Sequence, residues 1–96
     1  MERVEQEHVR LRVHLTGAVQ GVGLRYFSKR EAEKRSLAGF VRNERDGSVT
    51  IEVEGAQKLV DGFVKWLESE FLQGAIDGLR REGVHLEGGK FFVIKH

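Results

Sequence analysis

The chain has no cysteine, no proline, one tryptophan and one tyrosine among 96 residues. Without cysteine there is no disulfide, no thiolate nucleophile and no cysteine-held zinc. The segment from Met1 to His8 lacks the apolar core of a secretory signal, which points to the cytoplasm. No apolar run approaches the length that crosses a bilayer, which speaks against an integral membrane role. Charge of one sign is missing too: 16 basic against 15 acidic residues leave +1, so no overall field draws the chain to nucleic acid or to an acidic membrane surface. No linker, internal repeat or low-complexity segment interrupts it. The length and a hydrophobic content of 40% suit one domain with one core over residues 1–96, with 1–7 as a flexible leader.

What is present begins with alternation. Val9, Leu11, Val13 and Leu15 interleave with Arg10, Arg12, His14 and Thr16, the period of a strand with one buried and one wetter face. His14 has no implied acidic or nucleophilic neighbour and reads as a solvated strand histidine. After the loop from Gly17 to Arg25, Tyr26 to Ser36 reads as a helix, with Leu24, Phe27, Ser28 and Ala32 on one narrow face and Glu31 and Arg35 within it. Lys29, Arg30, Glu33 and Lys34 then form a solvated face. Phe40 to Asn43 and Ser48 to Val53 read as two strands joined by a tight turn at Asp46 and Gly47.

Val60, Phe63, Val64 and Leu67 recur at helical spacing, with Leu59 and Trp66 widening the stripe; Gly62 inside this second helix suggests close packing on the sheet. The pattern loosens from Phe71 to Gly83. Val84 and Leu86 alternate briefly, Gly88 and Gly89 can turn the chain, and Phe91 to Ile94 makes a final strand. The order is βαββαβ with an extra C-terminal strand, which predicts an α+β, ferredoxin-like split βαβ fold: an antiparallel sheet with both helices on one face.

The loop carries the chemistry. Glycines at 17, 21 and 23 let the backbone turn successive N–H groups inward, the following helix aims its positive end at the same place, and Arg25 adds a guanidinium fork. Phosphate or carboxylate suits such a cradle best, because several donors can meet several oxygens. Neither familiar phosphate pattern fits: a Walker loop ends in Gly-Lys-Ser/Thr, and a dinucleotide loop needs a third glycine where Tyr26 stands. Taken alone, the loop reads equally well as a strand-to-helix turn, while Arg25 alone is more often a surface charge and Asn43, beside Asp46 and Gly47, more often a turn residue.

Together, the segment from Gly17 to Phe27 and that from Leu37 to Gly55 resemble the two signature segments of the acylphosphatase family: a glycine loop ending in arginine, an asparagine on the second strand, an Asp-Gly turn, and a glycine after the third strand. The likeness runs from about Val9 to Leu67. Leu24 stands where that family usually has an aromatic residue, and the family's proline after the second helix is missing.

The resemblance implies an enzyme that hydrolyses acyl phosphates to a carboxylate and inorganic phosphate, which would also compete with substrate. Arg25 and the loop at Gln20, Gly21, Val22, Gly23 and Leu24 would hold the phosphoryl oxygens, Asn43 would orient the attacking water, and the substrate's own phosphate would take the proton. Gly17, Gly39, Gly47 and Gly55 read as backbone requirements. No cofactor is implied and no metal is expected, since His, Asp and Glu nowhere fall at ligand spacing. A monomer that binds neither nucleic acid nor membrane is expected. Two other readings stay open: a non-catalytic phosphate-binding regulatory module, including a relic of a larger carbamoyl-transfer protein, and an RNA-binding domain on the same layout, faintly echoed by Gly39, Phe40 and Val41.

Overall fold

A computed structural model describes residues 7–21, 23–71 and 76–96. Strands β1 (His8–Gly17), β2 (Ala38–Asn43), β3 (Val49–Ala56), β4 (Ile76–Val84) and β5 (Phe92–Lys95) alternate with helices α1 (Leu24–Lys34) and α2 (Gln57–Phe71) in the expected order. They form one sheet, β4-β1-β3-β2-β5. β3 lies between β1 and β2 and β1 between β3 and β4, so each helix connects two parallel strands across an inserted antiparallel one, the split βαβ arrangement. The sheet is not wholly antiparallel. β5 pairs parallel to β2, from Gly39 opposite Phe92 to Arg42 opposite Lys95, so the sheet is mixed.

Alternation decides which side chains meet the helices. Val13 and Leu15 of β1, Val41 of β2, and Val49, Ile51 and Val53 of β3 pack with Val60, Phe63, Val64 and Leu67 of α2 and with Leu24 and Ala32 of α1 in one core. Val9, Leu11, Trp66 and Ile94 pack partly buried against its margin. Gly39 shows why the central strands can lie so close: its φ is 137°, and a Cβ there would stand 1.8 Å from the Glu52 carbonyl oxygen.

Several local expectations are corrected. α1 starts at Leu24, two residues early, because Gly23 caps it; Phe27 is exposed, whereas Glu31 is buried in the stripe with Arg35 and Lys34 as ion partners. Leu59 is also exposed, since Val60, Phe63, Val64 and Leu67 fill the contact with the sheet. Gly62 makes room not for the sheet but for Arg35, the C-cap residue of α1: a Cβ there would lie 2.5 Å from the Arg35 guanidinium. The fourth strand is Ile76–Val84, earlier and longer than the brief alternation at Val84 and Leu86 suggested, and the final strand begins at Phe92.

The wetter face of the sheet is not open either. Arg10, Thr50, Glu52 and Glu54 are all nearly inaccessible. Arg10 Nε donates to Glu52 Oε1 at 2.6 Å and its Nη1 to Glu54 Oε1 at 3.0 Å, while Arg12 Nε donates to Glu52 Oε2 at 2.8 Å. The N–H groups of Glu87 and Gly88 donate to the two Glu54 oxygens at 2.7 and 2.8 Å, holding the β4–β5 connection to this side.

Candidate active site

Where β1 ends, the chain turns through Gly17 at φ 115° and enters the loop. Val19, fully buried in the core, anchors the loop from below. Gly21 and Gly23 then take φ near 80°, a region where a side chain is strained and glycine is not. Gly23 is the α1 N-cap in left-handed conformation and contributes no side-chain acceptor, and no acidic residue occupies the first turn. The positive end of the helix is therefore left without a negative side chain of its own. Leu24 drops into the core, so the residue that replaces the family's usual aromatic still packs beneath the loop.

Arg25 follows on the first turn, half-buried, and among the described residues no carboxylate pairs with it. Asn43 arrives from the end of β2. Val41 and Asn43 lie on the helix side of that strand, so the alternation that puts Val41 in the core brings Asn43 to the mouth of the loop. Its Oδ1 is buried and accepts no hydrogen bond.

These residues share a pocket of about 250 Å³: Gly21, Gly23, Leu24 and Arg25 from the loop and α1, and Asn43 from β2. Tyr26, Ile94 and His96 also line it. Some depressions elsewhere are larger, up to about 530 Å³ beside Arg12, Glu52 and Glu87, but there Arg12 and Glu52 already satisfy one another. The small pocket differs in joining an unpaired guanidinium, a glycine-capped helix start and an unpartnered amide oxygen. Such an arrangement can bind a small anion and hold one water beside it.

Val22 lies outside the described residues. Gln20 does not line the pocket; its side-chain amide donates to the carbonyls of Glu44 at 2.8 Å and Ser48 at 2.9 Å. His14 lies on the opposite face of the sheet, across from Arg80 and Thr50. Ile94 and His96 were not anticipated. Alternation put Phe92, Ile94 and His96 on one face of the last strand, but the neighbour that strand would take, β2, is a matter of topology that the local pattern does not encode.

Comparison with known proteins identifies the family and the fold. The family model described as acylphosphatase matches residues 11–93. An acylphosphatase of Arthrobacter sp. (strain FB24) is 46% identical over 85 residues, spanning 88% of this chain and 77% of the relative. The crystal structure of acylphosphatase from Bacillus subtilis superposes with a TM-score of 0.85 at 36% identity, over 92% of this chain and 99% of that one. A crystal structure of full-length HypF in a phosphate- and nucleotide-bound form gives the same score at 32% identity, with all of this chain matching 13% of that protein.

Proposed function

This chain belongs to the acylphosphatase family, hydrolases of acyl phosphates, and we propose that Arg25 and the loop amides from Gln20 to Leu24 hold the phosphoryl group while Asn43 places the attacking water. What carries this assignment is the meeting, in one pocket, of an unpaired Arg25 with Asn43, whose Oδ1 is buried and unpartnered.

The chemistry needs little else. Water oxygen bonds to phosphorus as the bond from phosphorus to the acyl oxygen breaks, and the bonding pair leaves with the carboxylate. That carboxylate has a conjugate acid of pKa about 4, so it departs unprotonated and no general acid is required. Charge on the transferring group is met by the guanidinium and the convergent amides, each well-aimed donor contributing on the order of 3 kcal/mol. A carboxamide is too weak a base to take the proton of water but can orient it; the proton ends on the phosphate oxygen of the substrate itself.

A metal has no part in this scheme, because Arg25 and the amides do its charge work. We place the enzyme in the cytoplasm as a monomer acting on small acyl phosphates, without nucleic acid or membrane as partner. Among the described residues no helix is long and apolar enough to cross a bilayer.

The test is turnover of benzoyl phosphate with inorganic phosphate as competitor. Asn43→Ala is expected to lower kcat by about a hundredfold while phosphate still binds, since the lost group acts on water and not on the ground-state anion. Arg25→Lys keeps the charge but loses the planar fork, so phosphate inhibition weakens markedly. EDTA leaves the rate unchanged. A folded Asn43→Ala enzyme with parent-level kcat would return Asn43 to the status of a turn residue, and a parent that binds phosphate without turnover would make the domain a binding module.

A further inference from the structure

Gln20 belongs to the loop that holds Arg25, yet its side chain reaches the hairpin that holds Asn43. Its Nε2 carries two hydrogens, and the structure gives each an acceptor: the Glu44 carbonyl at 2.8 Å and the Ser48 carbonyl at 2.9 Å. Those two carbonyls bracket the turn. Glu44 directly follows Asn43, Ser48 directly precedes Val49, and Asn43 and Val49 are the last cross-strand pair of the hairpin. The turn is closed on itself by the Glu44 N–H donating to the Ser48 carbonyl at 2.8 Å, so a group that grips both carbonyls moves with the Asn43–Val49 pair as one piece. Among the described residues no other side-chain hydrogen bond joins the loop at 18–23 to the turn at 44–48.

We propose that Gln20 is a positioning residue: its amide sets the separation and alignment between the anion-holding loop and the water-holding Asn43. The proposal rests on the assignment of Arg25 and Asn43 given above. In-line attack requires water, phosphorus and leaving oxygen to be aligned, and the two ends of that line are fixed by different pieces of chain. One piece is the turn into α1; the other is the end of β2. A mutation that leaves both groups in place but lets the pieces shift by an ångström can cost about a hundredfold in rate. The Gln20→Ala change leaves the backbone N–H at position 20 in place and removes only a side chain whose amide faces the hairpin, which is why its effect must run through Asn43.

That dependence supplies the test. The parent, Gln20→Ala, Asn43→Ala and the double variant are compared for kcat on benzoyl phosphate and for inhibition by inorganic phosphate, with circular dichroism and melting as folding controls. Gln20→Ala is expected to lower kcat by about 30- to 100-fold and to change phosphate inhibition by less than about threefold. In the Asn43→Ala background, the same Gln20→Ala step should cost less than about threefold, because there is no longer a water-holding amide to misplace. Gln20→Asn, whose amide is one methylene short of spanning both carbonyls, should behave like Gln20→Ala.

Full loss in the Asn43→Ala background overturns the proposal, as does a loss that appears in phosphate affinity instead of kcat. Unfolding of both Gln20 variants also overturns it, by making the residue purely structural. Parent-level kcat in Asn43→Ala alone is a different failure, that of the site assignment itself.

Discussion

Along β3, Val49, Ile51 and Val53 point one way and Thr50, Glu52 and Glu54 the other, and all six are buried. The two faces reach that state by opposite means. Toward the helices, apolar side chains meet apolar side chains, each full burial of a valine- or leucine-sized group contributing about 1.5–3 kcal/mol. On the other face no helix arrives among the described residues, and the cover there is made of arginine stems and the β4–β5 connection drawn onto Glu54. Removing ions from water costs several kcal/mol each, which largely offsets their mutual attraction. The ionic face therefore contributes less to stability than its burial suggests. What it does specify is register: Arg10 stands opposite Glu54 and Arg12 opposite Glu52, and a slip by one residue would set Arg10 against Val53 or Gly55.

The largest effect expected from breaking this comparison is on the helix side. Phe63, fully buried, touches both Trp66 and Phe92. Phe63→Ala removes that packing and leaves a cavity, for a loss of about 4 kcal/mol in urea unfolding. Glu52→Ala comes next, at about 3 kcal/mol, because Arg10 then stays buried with one partner fewer. The pair Arg10→Met with Glu52→Leu sharpens the contrast. It removes both buried charges together and should cost less than Glu52→Ala alone. If the double substitution proves the more damaging, the ionic face is a source of stability and the distinction between the faces fails.

The helix-side face was legible in the sequence, since a period of two in β1 and β3 and of 3.6 in α2 names the inward residues almost one by one. The burial of Arg10 and Glu52 was not. Alternation identifies a polar face but not what lies over it, and the cover here comes from Glu87 and Gly88, more than thirty residues along the chain from Glu54. β4 was placed too late and too short for a related reason: an edge strand with most of its side chains exposed needs no apolar rhythm, and Ile76 is its one buried residue. In the candidate site, the glycines showed in local pattern because the backbone geometry they satisfy is local, whereas Asn43, a turn residue when taken alone, and Arg25, a surface charge when taken alone, were singled out only through the resemblance to the family. Gln20 was correctly seen as part of the loop, but its partners lie 24 and 28 residues away, and without the hairpin folded beside it nothing indicates that its amide is already occupied.

The smallest effect is the one that acid exerts on the ionic face. Burial alone would push the Glu52 carboxyl up, but hydrogen bonds from Arg10 and Arg12, together with their charge, more than offset it and hold the group below its ordinary value of 4.5. Burial likewise opposes ionisation at Glu54, and the N–H groups of Glu87 and Gly88 with Arg10 again bring it below the ordinary value. A carboxyl whose pKa is lower folded than unfolded binds fewer protons in the native state. Its contribution is complete above about pH 4.5 and is lost as pH falls through the folded-state value. The melting temperature should thus drop as pH falls below about 4.5, by less than Glu52→Ala lowers it at neutral pH, because ionisation is lost only gradually. Glu44 and Asp46, also held low by hydrogen bonds, the first from Thr50 and the second from Ser48, add to the same slope from the hairpin turn. Glu52→Gln separates them. Having lost one of the depressed carboxyls, it should melt lower than the parent at neutral pH and show a shallower fall on acidification, so that the two curves converge as pH drops. Parallel curves would mean that Glu52 keeps its charge-assisted bonds in the unfolded chain as well, or that its burial is not coupled to its ionisation.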